Sequence, residues 1–592
     1  MKATTKMLII IIALALIARL PSINNPLFGD EIQWQNFYCT GQYWFSDIGH
    51  PSLSGWLTNL NCILFGVYPW AIRLPFLLVS LAAILLTYFY GRRFLSEKTA
   101  IVASLLLALS PWLAGIGMAT NQDNYLMLFF TAGLFAYRLW LGNPKAKYLA
   151  VIAVMFGLSL ITKSAAVLLL GIIGAHQLWL AIRRQQNWKK SFKLWPMLLG
   201  ITIPAAYYAI QFLTGATYYT GYTLHRISIK LFTAGGFSFP LASWVLAIVL
   251  ASPAFFALLA LVLARRADNE SPLLWAWILV PAFVYSFLII NNNIERFMQI
   301  ALPAMALLVS NGITSIEGSL LKAIRGKAIA YFGISSIVLL LLAYLLPSPD
   351  QYASPYYSLA AQLSTFIHPG RFFFPIISDM GPSYYLPLSF VIMSFVVAAA
   401  WLGIALYGIF KQKKDLLKLS IILLFITAVA TNAIALAEQN FTLKGPDIPA
   451  MAKAADNALS ATIGNNMSVL LIGAHPNNYI WRNEPRGGIL SSSQANLSRM
   501  HAEISALEMS GREFQEQDTG IIIKRVGIVV VRSEEEFREY AQMALSSNLV
   551  LFEDYPPLPE NNPLKQVLGT CRKLGSVRDK GLVFSMHSCK TP

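Results

Sequence analysis

Charged residues are scarce in this sequence, and their scarcity excludes an ordinary soluble protein. Asp, Glu, Lys and Arg make up 12% of the 592 residues, whereas a soluble domain carries roughly 25%. The deficit lies before residue 439, where apolar runs of bilayer length recur between short polar stretches. A spanning helix needs roughly 20 apolar residues. The clearest runs, which we predict to be membrane helices, are residues 7–20, 71–90, 102–118, 167–182, 329–346 and 417–437.

Metal-ligand and nucleotide-binding patterns are missing as well. The seven histidines are scattered, and Cys39 and Cys62 do not have the spacing of metal ligands. The sequence contains no phosphate-binding loop, dinucleotide fingerprint or His-Glu-x-x-His motif. ATP-dependent, NAD-dependent and zinc-protease functions therefore have no support. We expect no cofactor, although a divalent metal stays an open alternative.

The basic residues predict how the chain crosses the membrane. We place the N-terminus in the cytoplasm and let thirteen helices alternate, so that 22 Lys and Arg before residue 439 fall in inner segments and seven elsewhere. This bias is what the positive-inside rule describes. The net charge of +16 is attributed to contact with anionic lipid headgroups, and no nucleic-acid partner is predicted. The chain is therefore predicted to be an all-α polytopic protein of the plasma (inner) membrane.

The first outer loop, residues 21–70, is too long for a simple connection between helices. It is dense in aromatic residues, which favour the membrane interface. We predict one or two amphipathic helices here, lying on the outer surface. They would hold Asp30 and His50 near the mouth of any cavity between the membrane helices.

Outside the inner loops, the few acidic residues of the membrane part all fall on the predicted outer side. Asp30 and Glu31 follow the first helix, Asp123 opens the fourth, and Glu295 opens the tenth. Carboxylates at membrane depth are costly and tend to mark function. The alternative is that each is a hydrated loop residue beside the headgroups. The convergence of these acids on one side favours a site.

Residues 439–592 have the composition of a soluble domain. Short β-like runs are predicted at 468–472, 520–523, 526–531, 548–552 and 581–585, and helices at 448–461, 494–507 and 534–545. We predict a small α/β domain on the extracytoplasmic side, following a membrane domain of residues 1–438. Cys571 and Cys589 lie in this domain, and on an oxidising side they are candidates for a disulfide.

Several motifs, taken in order, resemble a known family. In chain order they are Gly29-Asp30-Glu31, His50-Pro51-Ser52-Leu53, Leu64-Phe65-Gly66, Arg73-Leu74-Pro75, Gly91-Arg92-Arg93-Phe94, Asn121-Gln122-Asp123, Gly157-Leu158, Leu160-Ile161-Thr162-Lys163, Glu295-Arg296-Phe297-Met298 and Ala301-Leu302-Pro303-Ala304. Together they resemble the polyprenyl-phosphate-sugar glycosyltransferases of the protein O-mannosyltransferase and aminoarabinose (lipid A) transferase type, which have the GT-C fold. Ser52 departs from the family's second proline, and Ser164-Ala165 from its Gly-Pro.

The resemblance implies a glycosyltransferase that takes its sugar from a polyprenyl-phosphate donor. Asp30 would be the base, or an orienting carboxylate if the acceptor is itself a phosphate. Glu31 would orient Asp30 or contact the acceptor, and Asp123 would position the sugar or Asp30. The acceptor would be a protein, a lipid or a glycan of the cell envelope.

The departing lipid phosphate needs cations, because negative charge develops on it. The candidates are His50, Lys163 and Arg296. Each has an alternative: His50 would cap a turn, Lys163 would extend to the interface, and Arg296 would pair with Glu295.

Two other functions fit the predicted topology. A multi-span transporter or lipid flippase would also use a lipid-sized cavity. Against it, the sequence shows no internal repeat, and the charges crowd at helix ends rather than in mid-helix. A non-catalytic scaffold would leave the Asp30-Glu31 and His50-Pro51 motifs unexplained.

Overall fold

The structure is a computed structural model, and it describes the larger part of the chain. The described residues are 3–24, 31, 38–39, 53–118, 120, 122–183, 193–213, 252–263, 271–285, 298–317, 326–346, 373–375, 385–441, 468–473, 514–518, 521–527, 534–554, 561–579 and 582–589.

In the part of the chain before residue 442, the described residues are almost entirely helical. Its α-helices are α1 (Ala3–Ile17), α2 (Leu53–Phe65), α3 (Pro69–Phe94), α4 (Glu97–Ala108), α5 (Pro111–Met118), α6 (Asp123–Gly142), α7 (Ala146–Leu160), α8 (Leu168–Ile182), α9 (Thr202–Leu213), α10 (Pro253–Leu263), α11 (Ser271–Phe283), α12 (Leu302–Glu317), α13 (Gly326–Leu345), α14 (Leu388–Phe410) and α15 (Lys414–Phe441). Short 3-10 helices cover Leu20–Ser22, Ser164–Val167, Trp195–Ile201 and Met298–Ala301, and a two-stranded ribbon joins β1 (Phe373–Pro375) to β2 (Tyr385–Pro387).

Seven of the described helical segments are long and apolar enough to cross a membrane. They are Thr5–Ser22, Pro69–Phe94, Asp123–Gly142, Ala165–Ile182, Ala328–Leu345, Ser389–Phe410 and Lys414–Glu438. Four shorter apolar helices accompany them within the described residues. The predicted polytopic all-α architecture is confirmed. The number thirteen stays a prediction, because parts of the chain lie outside the described residues.

The apolar run 102–118 is not one helix as predicted, because it is broken before Pro111. Helix α4 ends at Ala108 and α5 begins at Pro111. Proline has no N–H to continue the ladder, and it disfavours helical geometry in the residue before it. The Ser110 hydroxyl accepts a hydrogen bond from the Leu113 N–H at 3.2 Å, which starts the new helix.

Arg19 stabilises the break from the neighbouring helix. Its side chain is fully buried, and Nη1 donates to the Ala108 carbonyl at 3.0 Å and to the Ala15 carbonyl at 2.9 Å. A cation at the C-terminal end of a helix satisfies carbonyls that have lost their helical partners. Arg19 therefore ties the end of α1 to the end of α4.

Helix α2 confirms the amphipathic helix predicted in the first outer loop. Its buried residues are small or polar: Ser54, Gly55, Thr58, Asn59 and Cys62. Its large apolar side chains, Leu57, Leu60, Ile63, Leu64 and Phe65, are exposed. A helix with this pattern turns its polar face to the protein and its apolar face outward. That orientation suits a helix lying at a membrane surface.

The C-terminal residues form a six-stranded mixed sheet, as the predicted α/β domain requires. The strands are β3 (Ser468–Gly473), β4 (Phe514–Asp518), β5 (Ile521–Gly527), β6 (Leu549–Asp554), β7 (Arg572–Asp579) and β8 (Leu582–Ser588), with helices α16 (Glu534–Ser546) and α17 (Pro563–Thr570). The order is β4-β5-β3-β6-β8-β7, and β3 runs parallel to β5 and β6. Leu470, Val550, Phe552, Leu564 and Leu568 form its core.

The sequence predictions for this domain are partly confirmed. Strands were predicted at the positions of β3, β6 and β8, and a helix at that of α16. Strand β5 joins the run 520–523 to the start of the run 526–531, and residues 528–531 lie outside the described residues. Strands β4 and β7 and helix α17 were not predicted. The helices predicted at 448–461 and 494–507 lie outside the described residues, and the division of the chain at residue 438 stays a prediction.

All four cysteines are in disulfides. Cys571 is bonded to Cys589, as predicted, and Cys39 is bonded to Cys62. The second bond was not predicted. It joins the described pair Tyr38–Cys39 of the first outer loop to helix α2. Disulfides form and persist in oxidising compartments, so both bonds agree with the predicted extracytoplasmic placement of these two segments.

We expect all four cysteines to face the outside of the cell. In intact cells, a membrane-impermeant maleimide should label the protein only after treatment with an impermeant phosphine reductant. The control is Lys413→Cys in a background with all four cysteines changed to Ser. Position 413 is exposed in a predicted inner loop, so it should react only after permeabilisation. Labelling of Lys413→Cys in intact cells would show that the predicted orientation is wrong.

Candidate active site

Glu31 forms a buried ion pair with Arg73 at the N-terminal end of helix α3. Arg73 Nη2 lies 2.6 Å from Glu31 Oε2, and Nε lies 2.8 Å from Oε1. Both side chains are at most 2% exposed. Arg73 Nη1 also donates to the Ile23 carbonyl at 3.0 Å. The two-pronged geometry of a guanidinium on a carboxylate fixes both groups in orientation as well as in position.

Asp123 and Lys163 form a second buried ion pair. Lys163 Nζ lies 2.8 Å from both carboxylate oxygens of Asp123. Asp123 is fully buried and Lys163 is 6% exposed. The alternative that Lys163 extends to the membrane interface is therefore wrong. Asp123 lies in the first turn of α6, where a negative charge interacts favourably with the helix dipole.

Lys163 lies in the short irregular segment between α7 and the 3-10 helix Ser164–Val167. Its backbone is extended, with φ −162° and ψ 144°, so that the chain changes direction at this residue. Two residues earlier, the Ile161 carbonyl accepts a hydrogen bond from the Leu53 N–H at 3.1 Å. This bond holds the start of α2, in the first outer loop, at a residue close in sequence to Lys163 of the Asp123–Lys163 ion pair.

The first turn of α6 is also joined to the start of α12. The Asn124 side-chain oxygen accepts a hydrogen bond from the Gln299 amide, and both side chains are fully buried. Gln299 belongs to the 3-10 helix Met298–Ala301, which precedes α12 and packs on α6. The segment that carries the Glu295-Arg296 motif therefore runs into a turn that is fixed on α6.

Aromatic rings connect the two ion pairs. Phe76 of α3 meets Tyr125 of α6 edge to face, with ring centroids 5.3 Å apart. Phe76 lies three residues after Arg73, and Tyr125 lies two residues after Asp123. The Tyr38 ring packs in the same cluster, against Gly55, where a Cβ atom would overlap it. Both ion pairs thus lie at the adjoining N-terminal ends of two neighbouring helices.

The structure brings together only some of the residues that the sequence predicted for the site. Asp123 contacts Lys163 directly, and Glu31 is described in its pair with Arg73. Asp30, His50 and Arg296 lie outside the described residues, as does Glu295. Among the described residues, no three His, Cys, Asp or Glu side chains come together as metal ligands. The prediction that no metal is needed stays a prediction.

Two features of this region were missed from the sequence. The Arg-Leu-Pro motif did not by itself predict a partner for Arg73, although a cation at the outer end of an apolar helix signals a buried one. The spacing of Cys39 and Cys62 argues against a metal site but did not by itself predict their disulfide. Their common position in one outer loop was the available signal.

Comparisons with known proteins fit this arrangement. Residues 49–208 match the sequence family described as dolichyl-phosphate-mannose-protein mannosyltransferase. The matched stretch contains Asp123 and Lys163. Crystal structures of ArnT from Cupriavidus metallidurans, in the apo state and bound to undecaprenyl phosphate, superpose with TM-scores of 0.55 and 0.56. The sequence identity to both is 14%, and each superposition covers 99% of this chain. It covers 99% of the apo ArnT chain and 98% of the ArnT chain bound to undecaprenyl phosphate.

The chain has the GT-C fold. The predicted resemblance to GT-C glycosyltransferases is therefore confirmed. The oligosaccharyltransferase of Archaeoglobus fulgidus also matches at 12% identity, covering 81% of this chain and 63% of its own, with a TM-score of 0.43. No curated protein matches the sequence.

We expect the Asp123–Lys163 pair of this GT-C protein to show strong thermodynamic coupling. Asp123→Asn or Lys163→Met alone leaves one buried charge without its partner, which costs about 3–5 kcal/mol. Each single variant should therefore lower the thermal unfolding midpoint in detergent. The double variant should recover most of the loss, because no unpaired charge is left.

The control for this cycle is Lys411→Met. Lys411 is exposed in a predicted inner loop, so its removal should leave the unfolding midpoint nearly unchanged. Losses that simply add in the double variant would contradict a coupled pair.

Proposed function

We propose that the protein is a membrane glycosyltransferase that moves a sugar from a polyprenyl-phosphate donor to an acceptor on the extracytoplasmic side. The observation that carries this proposal is the buried Asp123–Lys163 pair at the N-terminal end of α6. It lies in the stretch that matches the mannosyltransferase family. Ionised side chains within a membrane protein are costly and tend to mark function.

Lys163 supplies positive charge to the donor phosphate. The bond between the anomeric carbon and the phosphate oxygen breaks as the sugar is transferred, and the bonding electrons leave with the lipid phosphate. A cation that is already in place stabilises this charge without reorganisation. Asp123 holds the Lys163 ammonium group in position. His50 and Arg296 are the further cations that we assign to the phosphate.

Asp30 acts as the base toward a hydroxyl acceptor. It takes the proton of the acceptor hydroxyl while the acceptor oxygen bonds to the anomeric carbon. A carboxylate within hydrogen-bond reach is suited to this role. When the acceptor is a phosphate, no proton has to be removed, and Asp30 orients the acceptor instead.

Glu31 is a positioning residue. Both of its carboxylate oxygens accept hydrogen bonds from Arg73, and this pairing supports the orienting role over direct contact with the acceptor. Because Glu31 follows Asp30 directly, its bonds to α3 fix the chain where the base is attached. The same contact joins the first outer loop to the helical bundle.

The extracytoplasmic side is supported by the disulfides and by the charge bias. Cys39–Cys62 and Cys571–Cys589 lie in two segments that the positive-inside rule places on the same outer side. We therefore assign the C-terminal sheet domain to that side of the plasma (inner) membrane. There it covers the cavity or contributes to the choice of a protein, lipid or glycan acceptor.

We expect Asp30→Asn to abolish sugar transfer. Membranes containing wild type or variant at matched expression are supplied with polyprenyl-phosphate sugars and an acceptor-rich extract. Release of free polyprenyl phosphate is followed by mass spectrometry. Wild type should release it, and the variant should release at least about 100-fold less, because a general base contributes roughly that factor or more.

The matched control is Asp415→Asn. Asp415 is an exposed carboxylate in the first turn of α15, at the predicted inner end, so its removal should leave release unchanged. Equal release by Asp30→Asn and wild type would remove Asp30 from the mechanism. Absence of release by wild type from every donor would favour the transporter or flippase instead.

A further inference from the structure

Four neighbouring residues around the first turn of α6 have buried polar atoms without hydrogen-bond partners. Within the described chain they include Thr120 Oγ1, both amide atoms of Gln122, the Tyr125 hydroxyl and Gln299 Oε1. Each of these side chains is at most 3% exposed. Buried polar groups are nearly always hydrogen-bonded in native proteins, because leaving them unpaired is unfavourable. Several such groups beside one buried ion pair fit a site for a ligand that supplies the missing partners.

Chain connectivity and hydrogen bonds hold these groups together. Gln122 immediately precedes Asp123, and the Tyr125 N–H donates to the Gln122 carbonyl at 3.0 Å. Thr120 is two residues before Gln122. Gln299 is attached to the same turn through its bond to Asn124. The unpartnered groups therefore belong to residues that flank Asp123 in sequence or are bonded to its turn.

The chemistry of these groups selects a hydroxylated, uncharged ligand. The Gln122 amide presents one acceptor and one NH₂ donor, the hydroxyls of Thr120 and Tyr125 both donate and accept, and Gln299 Oε1 accepts. None of these groups carries a charge. Adjacent sugar hydroxyls, each of which donates and accepts, match this set better than a phosphate or a carboxylate would.

We infer that Thr120 and Gln122 bind hydroxyl groups of the transferred sugar and determine which sugar is accepted. The inference rests on the proposed function. In a sugar phosphodiester the phosphate is bonded directly to the sugar, so a cation for the phosphate and partners for the hydroxyls must lie within one sugar length. Lys163 contacts Asp123, the residue next to Gln122, and this adjacency is compatible with that condition.

The test uses Thr120→Val and Gln122→Leu, which remove hydrogen-bonding atoms while keeping similar size. Purified wild type is first given the acceptor-rich extract together with undecaprenyl phosphate carrying mannose, glucose, galactose or 4-amino-4-deoxyarabinose, and the accepted donor is identified by release of undecaprenyl phosphate. Each variant is then compared on that donor and on its monodeoxy analogues. A site that hydrogen-bonds a substrate hydroxyl rejects the analogue that lacks it.

We expect wild type to prefer the complete sugar over at least one monodeoxy analogue. Each variant should lose about 10- to 100-fold in kcat/KM on the complete sugar. It should lose much less on the analogue that lacks the hydroxyl it contacts, so that its discrimination between the two disappears. A merely structural role would lower activity on all donors by the same factor.

Two control variants measure the effect of altering buried polar residues elsewhere. Gln177→Leu removes a buried amide that is bonded to Tyr137, and Thr131→Val removes a buried hydroxyl that is bonded within α6. Both should keep wild-type discrimination, and elution in size-exclusion chromatography reports folding for all four variants.

Three results would overturn the inference. Unchanged discrimination in both site variants would assign the unpartnered atoms to bound water. A change in the acceptor KM alone would assign them to the acceptor. If wild type uses no polyprenyl-phosphate sugar at all, the proposed function fails and the inference with it, whereas normal transfer with unchanged discrimination defeats the inference alone.

Discussion

Asp123 and Lys163 are almost completely removed from water, and neither charge would be tolerated there without the other. Pairing is a severe constraint in an apolar bundle, since an ion of one sign has to find the opposite sign on another segment. Here the partners lie 40 residues apart in sequence. The pair fixes the start of α6 against the turn that follows α7. The Glu31–Arg73 pair does the same for α3 and the segment that follows α1.

Backbone groups at helix ends obey a related constraint. Where α4 stops before Pro111, the Ala108 carbonyl is satisfied by buried Arg19. Lipid offers no water to such groups, so irregular backbone at membrane depth persists only where protein side chains supply the partners. Charged residues in this bundle therefore join helix ends. The candidate site uses the same principle, with ion pairs at the N-terminal ends of α3 and α6.

The fold is shared with other proteins, whereas the side chains that would select a sugar and an acceptor are local to this chain. A superposition over 99% of the chain at 14% identity shows that the arrangement of helices is shared while most side chains are not. Fold alone does not fix an activity. The choice of sugar and acceptor has to come from local groups, and the uncharged polar residues beside Asp123 are placed where such a choice is made.

Much of this protein was determined by sequence alone. The lack of charge over long runs dictated membrane helices, because ionised groups are excluded from lipid, and the bias of Lys and Arg predicts an orientation. Asp123, Lys163 and Glu31 were identified as unusual by the same scarcity. The amphipathic helix α2 followed from the aromatic residues around it. Each of these inferences needs only local composition or local periodicity.

Tertiary structure decided which groups meet. That Glu31 pairs with Arg73 and Cys39 with Cys62 depends on packing between segments, which no local pattern encodes. Strands β4 and β7 were missed for a similar reason. They are the two edges of the sheet, and their polar sequences, Phe-Gln-Glu-Gln-Asp and Arg-Lys-Leu-Gly-Ser-Val-Arg-Asp, show no apolar alternation. Such strands form because a neighbouring strand offers hydrogen bonds, and this neighbour exists only once the chain has folded.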